Sequence, residues 1–521
     1  MNDAHFTITV FIALLLVASG VAMATKWIRV PYTLALVLVG LAISPMHFLP
    51  PVHVSPELIL LIFLPALLFE AAWNLKLDHL RANLTPILLL AVVGVCLSVG
   101  VIGGLLHWGA GLSWSSALLF GSIISATDPV SVLALFKQLG APARLNTIVE
   151  GESLFNDGTA VVVFRILLGI VMGTTVTHSP GALALESVRE FAVVVFGGLA
   201  VGALIGLAAS TVTAYFDDHL LEITLTTITA YGSFLAAESL HVSPVIAVLL
   251  AGLVLGNYGR RTGMSPTTQV AVNSFWEYAA FVVNSLVFLL IGLEIQLATL
   301  AQNLRGIGWA VLAMMVARVL AVYGLLPLSN RFSEPVPFRW QHVLVWGGLR
   351  GSLSIALVLS LPTALPGRAE LVAMIFGTVI FSLLAQGLTI GLLLRWLGLG
   401  QVNTQASEYD LLYGQLLAET AASVELDDLH AKGLVTGRLH QRLSPTFQEQ
   451  HDRLSEQLAQ LDAADSTLEQ QQQRRLREHL VNVKKTRLGV LLREGLLDEE
   501  THRTLNESLD EELASLYGER H

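Results

Sequence analysis

Ser125-Ala126-Thr127-Asp128-Pro129 lies inside an otherwise apolar run, near 114–136, that is long enough to cross a bilayer. An aspartate and a proline at that depth do not fit a continuous helix. Proline has no backbone donor and clashes with the preceding turn, so the helix is expected to break there. A second apolar run, near 339–361, contains Trp346-Gly347-Gly348-Leu349-Arg350-Gly351-Ser352, whose glycines lower helix stability around a charged side chain. Irregular backbone at membrane depth is tolerated only where it is buried in protein or lines a cavity. Two such breaks point to an all-α membrane protein organised around two discontinuous, crossing helices.

The rest of the chain fits that class. Of its 521 residues 54% are hydrophobic and 13% charged, about half the charge of a soluble domain. Apolar stretches recur through the first 400 positions, giving about thirteen spans near 5–24, 31–49, 56–73, 83–107, 114–136, 147–172, 186–214, 219–240, 242–258, 269–295, 306–328, 339–361 and 370–396. The eighth and ninth are separated by only a few residues. The N-terminal run lacks a basic leader region, and its charges, Lys26 and Arg29, follow it. It reads as a retained first helix with its N-terminus outside.

Charge placement supports that topology. Lys26, Arg29, Lys76, Arg81, Lys137, Arg144, Arg260, Arg261, Arg331, Arg339 and Arg395 fall in inner loops, against Arg189, Arg305 and Arg368 outside. This asymmetry suits an odd number of spans and a cytoplasmic C-terminus. If the seventh span is a linker, the two broken spans hold matching positions in two inverted halves, a pattern that marks an ion site near the bilayer midplane.

Two domains follow: a membrane domain, 1–400, and a soluble helical tail, 401–521. The membrane domain carries 17 basic and 18 acidic residues, and the tail 13 and 22. Such acidity argues against nucleic acid or anionic lipid as a partner. Within the tail, Gly433-Leu434-Val435 and Gly495-Leu496-Leu497 are each followed at the same spacing by a histidine and a leucine, His440 with Leu443 and His502 with Leu505. The pattern hints at a duplicated helical unit. One cysteine, Cys96, rules out a disulfide framework or thiolate metal site and reads as a small buried hydrophobe.

Ionisable side chains at bilayer depth are functional candidates. Here they are Glu70, Asp128, Glu152, Asp157, Arg165, Arg318 and Arg350. Glu150-Gly151-Glu152-Ser153-Leu154-Phe155-Asn156-Asp157 opens the sixth span. On a helix Ser153 and Asp157 share a face, and Glu152 and Asn156 form the adjacent pair. A hydroxyl one turn from a carboxylate is a partial cage for a small hard cation such as Na⁺ or Li⁺, which needs further oxygens. Carbonyls freed near Thr127 can supply them, and Glu70 is either another ligand or a rim carboxylate. Burial disfavours a bare carboxylate charge, so Asp157 can hold a proton or a cation but hardly both. Its alternative role is a structural carboxylate paired with an arginine.

Arg350 needs an anion at depth, and Glu152 is the candidate. Asp128 reads as structural, offsetting helix N-termini at the crossover. Arg165 and Arg318 either line an aqueous funnel or pair with acids. Glu238, Glu294, His107 and His178 fall at outer ends or loops and read as solvated.

The segments Glu150–Phe164 (EGESLFNDGTAVVVF), 64–70 (LPALLFE), 125–132 (SATDPVSV), 245–257 (VIAVLLAGLVLGN), 288–294 (FLLIGLE) and 346–352 (WGGLRGS) resemble, in order, those of the sodium/proton exchanger family, bacterial and eukaryotic. The resemblance implies a thirteen-helix antiporter fold with an inverted repeat, a dimerisation domain and a moving core domain. It implies that Asp157, Ser153 and the Thr127 carbonyl coordinate Na⁺, with Glu70 contributing, and that Glu152 and Arg350 form a structural ion pair. Asn156 stands where electrogenic relatives have aspartate, which implies electroneutral exchange of one Na⁺ for one H⁺. Little carries over to the tail beyond a regulatory or dimer-stabilising role.

The expectation is a plasma-membrane homodimer exchanging Na⁺ or Li⁺ for H⁺, with no cofactor and no enzymatic step. K⁺/H⁺ exchange on the same scaffold is the nearest alternative, and a cation channel or sensor a more distant one. Channels use sites weak enough to release ions quickly, which disfavours a single saturating carboxylate.

Overall fold

The computed structural model describes residues 3–27, 31–44, 59–172, 180–215, 218–260, 263–295, 297–399 and 404–464, and scattered positions from 476 to 509. Every regular element among them is helical. The chain divides into two compact units, Met1–Gln401 and Val402–His521. Among the described residues of the first, eight helical segments of 21 to 29 residues are apolar enough to cross a membrane, and four apolar helices are shorter.

The helices of the first unit that matter here are α1 (Asp3–Thr25), α2 (Tyr32–Ile43), α3 (Leu64–Asn74), α4 (Leu84–Ala110), α5 (Trp114–Ser125), α6 (Val130–Leu139), α7 (Ala143–Val171), α8 (Pro180–Thr213), α9 (His219–Ser239), α10 (Pro244–Gly259), α11 (Pro266–Glu294), α12 (Leu304–Ser329), α13 (Phe338–Trp346), α14 (Ser352–Leu359) and α15 (Arg368–Trp396). Several start where local chemistry dictates. Ser113, Asp218, Ser243 and Ser265 accept backbone N–H bonds as N-caps of α5, α9, α10 and α11. Proline follows Ser243 and Ser265 at the first helical position, where its missing donor is not needed. The same signal separates α9 from α10: His241 turns the chain with a φ of 59°, and Ser243-Pro244 restarts it.

The helices group into two bundles. In one, α1, α2, α3, α8, α9, α10 and α11 pack together. In the other, α4 to α7 pack with α12 to α15. Contacts are extensive within each bundle and sparse between them. Small residues bring the helices of the first bundle close. A Cβ on Gly40 of α2 would lie 2.5 Å from the Leu289 carbonyl and 2.9 Å from Gly292 Cα of α11. One on Gly202 of α8 would lie 3.0 Å from Ala247 Cα of α10. Such backbone proximity maximises van der Waals packing where lipid removes the hydrophobic drive between helices. In the second bundle, Gly121 of α5 lets Val99 of α4 approach, with a Cβ there 3.0 Å from the Val99 carbonyl. Bulky apolar side chains such as Leu16, Phe196 and Leu204 point outward. So does Cys96, which is exposed rather than buried because its face of α4 is turned away from the bundle.

The second unit contains a hairpin of α16 (Thr404–Ala431) and α17 (Gly437–Ala464). Gly433 adopts a φ of 73° at the end of α16, as a helix stop requires. The Leu434 N–H then donates to Leu429 O at 3.0 Å, and the His440 N–H to Thr436 O at 3.0 Å. Leu496 to Leu491 (2.9 Å) and His502 to Asp498 (3.0 Å) repeat both bonds 62 residues later. The same two backbone bonds thus recur at both copies of the motif, while Gly495 lies outside the described residues. His430 stacks on His440 with ring centroids 4.5 Å apart.

Candidate functional site

Both predicted breaks exist. α5 stops at Ser125 and the chain is non-helical over 126–129, and α13 stops at Trp346 with no helix until Ser352. The two breaks lie against each other. The Asp128 N–H donates to Leu349 O at 2.7 Å. Gly351 packs on the Asp128 side chain, and Ser354 Oγ donates to Ile123 O at 2.8 Å. Each break therefore satisfies backbone groups that the other exposes. Asp128 also accepts the Val130 N–H at 3.0 Å, at the start of α6, where a negative group offsets the helix dipole.

Arg350 fills the remaining gap. Its Nη1 donates to the carbonyls of Ser125 (2.9 Å) and Ala126 (3.0 Å), and its backbone N–H to Ser382 Oγ (2.8 Å). Those carbonyls belong to the end of α5, which has no following turn to donate to them. This corrects the expected Glu152–Arg350 pair. Glu152 instead forms a two-pronged ion pair with Arg318 of α12: Nη1 to Oε1, and Nη2 to Oε2 at 3.0 Å. Arg318 Nε and Nη2 also reach Leu344 O at 3.0 and 2.8 Å. The pair thus ties α7 to α12 and α13. Arg318 is preferred because its planar fork meets Glu152 directly, while Nη1 of Arg350 is committed to two main-chain carbonyls. The sequence signal was available: Arg318 is the lone charge between residues 306 and 328 and had to find an acid.

α7 runs past this crossing and presents Ser153, Asn156 and Asp157 to it. Ser153 Oγ donates to Thr127 O, and Asn156 Nδ2 donates to Thr127 Oγ1 at 3.3 Å. The Thr127 N–H faces the Asp157 carboxylate, whose nearest charges include Asp128 and Arg350. Among the described residues, Asp157 Oδ1 and Asn156 Oδ1 are buried without a hydrogen-bond partner. A buried oxygen of this kind is an acceptor that the protein leaves for something else. Thr127, Asp128, Glu152, Ser153 and Arg318, with Gly347 and Gly348, line one cavity at the crossing.

Glu70 is not joined to that cluster by any hydrogen bond among the described residues. Its Oε1 accepts from Asn74 Nδ2 at 2.8 Å, and its charged neighbours are Lys137, Glu277 and Glu150. Glu150 precedes Asp157 by two helical turns, so the charged neighbours of Glu70 belong to the start of α7 rather than to the crossing. Arg165, two turns beyond Asp157, has Glu238 as its charged neighbour. His107 is half-buried rather than solvated: it bonds Leu112 O at 2.7 Å and stacks on Trp114. His178 lies outside the described residues.

The arrangement collects hard oxygen donors (the Asp157 carboxylate, the Ser153 hydroxyl and the Thr127 carbonyl) at a helix break. Such a set can hold a small cation, and the carboxylate can hold a proton in its place. The chain is 40% identical over 510 residues to the Na(+)/H(+) antiporter ApNhaP of Aphanothece halophytica, with 96% of each chain covered. It is 44% identical over 427 residues to the low-affinity Na(+)/H(+) antiporter NhaS1 of Synechocystis, with 80% of each covered. The sodium proton antiporter MjNhaP1 of Methanocaldococcus jannaschii superposes with a TM-score of 0.65 at 21% identity, covering 77% of this chain and 100% of that one, so the two share a fold. The transmembrane sodium/hydrogen exchanger family model matches residues 10–396, both helix breaks and the Asp157 cluster included, and the chain belongs to that family of multi-pass membrane proteins.

Proposed function

We propose that this protein exchanges Na⁺ or Li⁺ for H⁺ across the plasma membrane by alternating access, with the two ions competing for Asp157. The carrying observation is the buried, unpartnered Oδ1 of Asp157, one helical turn from Ser153 and beside the freed backbone of Thr127. The relatives' descriptions as Na⁺/H⁺ antiporters support sodium as cargo.

In this reading the cation takes oxygens from Asp157, Ser153 and Thr127. Asn156 contributes its amide without adding charge, so one Na⁺ exchanges for one H⁺ and turnover is electroneutral. Asp128, Arg318, Glu152 and Arg350 hold the crossing in place. Glu70 stands at the rim and delivers cations to the site. The bundle that carries the site moves against the other, and their sparse mutual contacts favour such motion. The thirteen-span topology with an inverted repeat, an outer N-terminus and a cytoplasmic tail rests on the loop-charge asymmetry. We assign the tail a regulatory role and the membrane unit a homodimeric state.

The test is exchange in proteoliposomes with Na⁺, Li⁺ and K⁺ compared across pH. Na⁺ and Li⁺ should support exchange in the native protein and not in Asp157→Asn. Equal exchange by the variant overturns the reading, and K⁺ alone supporting exchange overturns the assignment of cargo.

A further inference from the structure

Two buried hydroxyls bridge the bundles at a point the exchange chemistry does not use. Thr33, in the first turn of α2, and Ser131, in the first turn of α6, are 3% and 5% exposed, and their side-chain oxygens hydrogen-bond directly to each other. Thr33 is held on the first bundle. Its neighbour Tyr32 bonds Ser285 Oγ of α11 at 2.7 Å and stacks on Phe281. Further along α2, Gly40 packs on Gly292 of α11. Ser131 is held on the second bundle. It lies three residues past Asp128, whose N–H is bonded to Leu349 O in the other break.

The bond therefore joins a helix fixed to one bundle with the half-helix that leads out of the ion site. A relative displacement of the bundles by a few ångströms breaks it, because a hydrogen bond does not survive such a stretch. Apolar contacts at the boundary, such as Ile246 of α10 against Gly158 of α7, can slide and re-form with new neighbours. Two desolvated hydroxyls cannot do so without losing their partner.

We propose that Thr33 and Ser131 form a latch that favours the arrangement of bundles seen here, so that these positioning residues set the balance between the two access states. The inference rests on the alternating-access reading. One hydrogen bond shifts a two-state equilibrium by about 2- to 10-fold. Loss of either hydroxyl should change the half-saturating Na⁺ concentration and the maximal rate together.

The experiment uses the full chain in liposomes with Cys96→Ala and Ile246→Cys, so that a water-soluble maleimide reports opening of the boundary. Thr33→Val and Ser131→Ala should each raise the labelling rate about 2- to 10-fold, the double variant no further, and Thr33→Ser should restore the native rate. Unchanged labelling in both single variants, or additive effects in the double variant, overturns the latch. Because labelling needs no transport, changed labelling in a protein without Na⁺/H⁺ exchange would sustain the latch and reject the exchange reading. Exchange with unaltered labelling would do the reverse.

Discussion

Gly351 and Asp128 meet at the crossing of the two broken helices: a Cβ on Gly351 would lie 2.5 Å from Asp128 Cβ and 2.7 Å from its Cγ. The Gly351 φ of −138° is open to any residue, so the constraint is space. Gly351→Ala must push the breaks apart. Overpacking of this kind destabilises by about 1–3 kcal/mol, and the displaced Thr127 should reduce exchange at least tenfold. Thermal unfolding in detergent and proteoliposome exchange measure the two effects. Native values for both would show that the crossing yields freely.

The Glu152–Arg318 pair is nearly buried, with side chains 3% and 10% exposed. Removing one partner strands the other charge, a loss of about 3–5 kcal/mol. Arg318→Leu and Glu152→Leu should each lower the thermal midpoint sharply. The double variant should recover most of it, because neither buried charge then lacks its mate. A double variant as unstable as the sum of the singles would show that Arg318 acts through Leu344 rather than Glu152.

Ser153→Ala removes one oxygen from the proposed cage but leaves Asp157 to carry the proton. The half-saturating Na⁺ concentration should rise about tenfold, the worth of one polar contact, with a smaller change in maximal rate. A fall in maximal rate at unchanged half-saturation would mean that Ser153 only braces Thr127.

Competition at one carboxylate fixes the sign of the pH dependence. A proton on Asp157 excludes Na⁺, so half-saturating Na⁺ should rise as pH falls, by up to tenfold per pH unit, while saturating Na⁺ restores the rate. Initial rates over a grid of Na⁺ and pH test this. A maximal rate that falls with pH at every Na⁺ concentration would point to separate sites.

Gly292 touches α2 so closely that a Cβ there would lie 2.9 Å from Gly40 Cα. Gly292→Leu should separate α2 from α11 and lower thermal stability, whereas the same change at Gly308, where a Cβ meets nothing within 4 Å, should not. Equal effects at both positions would argue against close α2–α11 packing.

The membrane class, both helix breaks and the Ser153–Asp157 face were legible in the sequence, because each is a local property. Apolar length defines a span, proline and glycine remove helical bonds, and a four-residue spacing places side chains on one face. Ser243-Pro244 and Ser265-Pro266 start α10 and α11 through chemistry that is equally local.

Partner choice was not local. Glu152 had two buried arginines to choose between, and spacing cannot rank residues 166 and 198 positions away. The fold resolved it by geometry: Arg350 emerges where the end of α5 leaves carbonyls unsatisfied, and Arg318 faces Glu152 across α7 and α12. The outward face of Cys96 and the Thr33–Ser131 bond depend likewise on which helices become neighbours. Sequence specifies which groups must be satisfied at bilayer depth, and packing specifies which group satisfies each, because a hydrogen bond is decided over about 3 Å of space rather than along the chain.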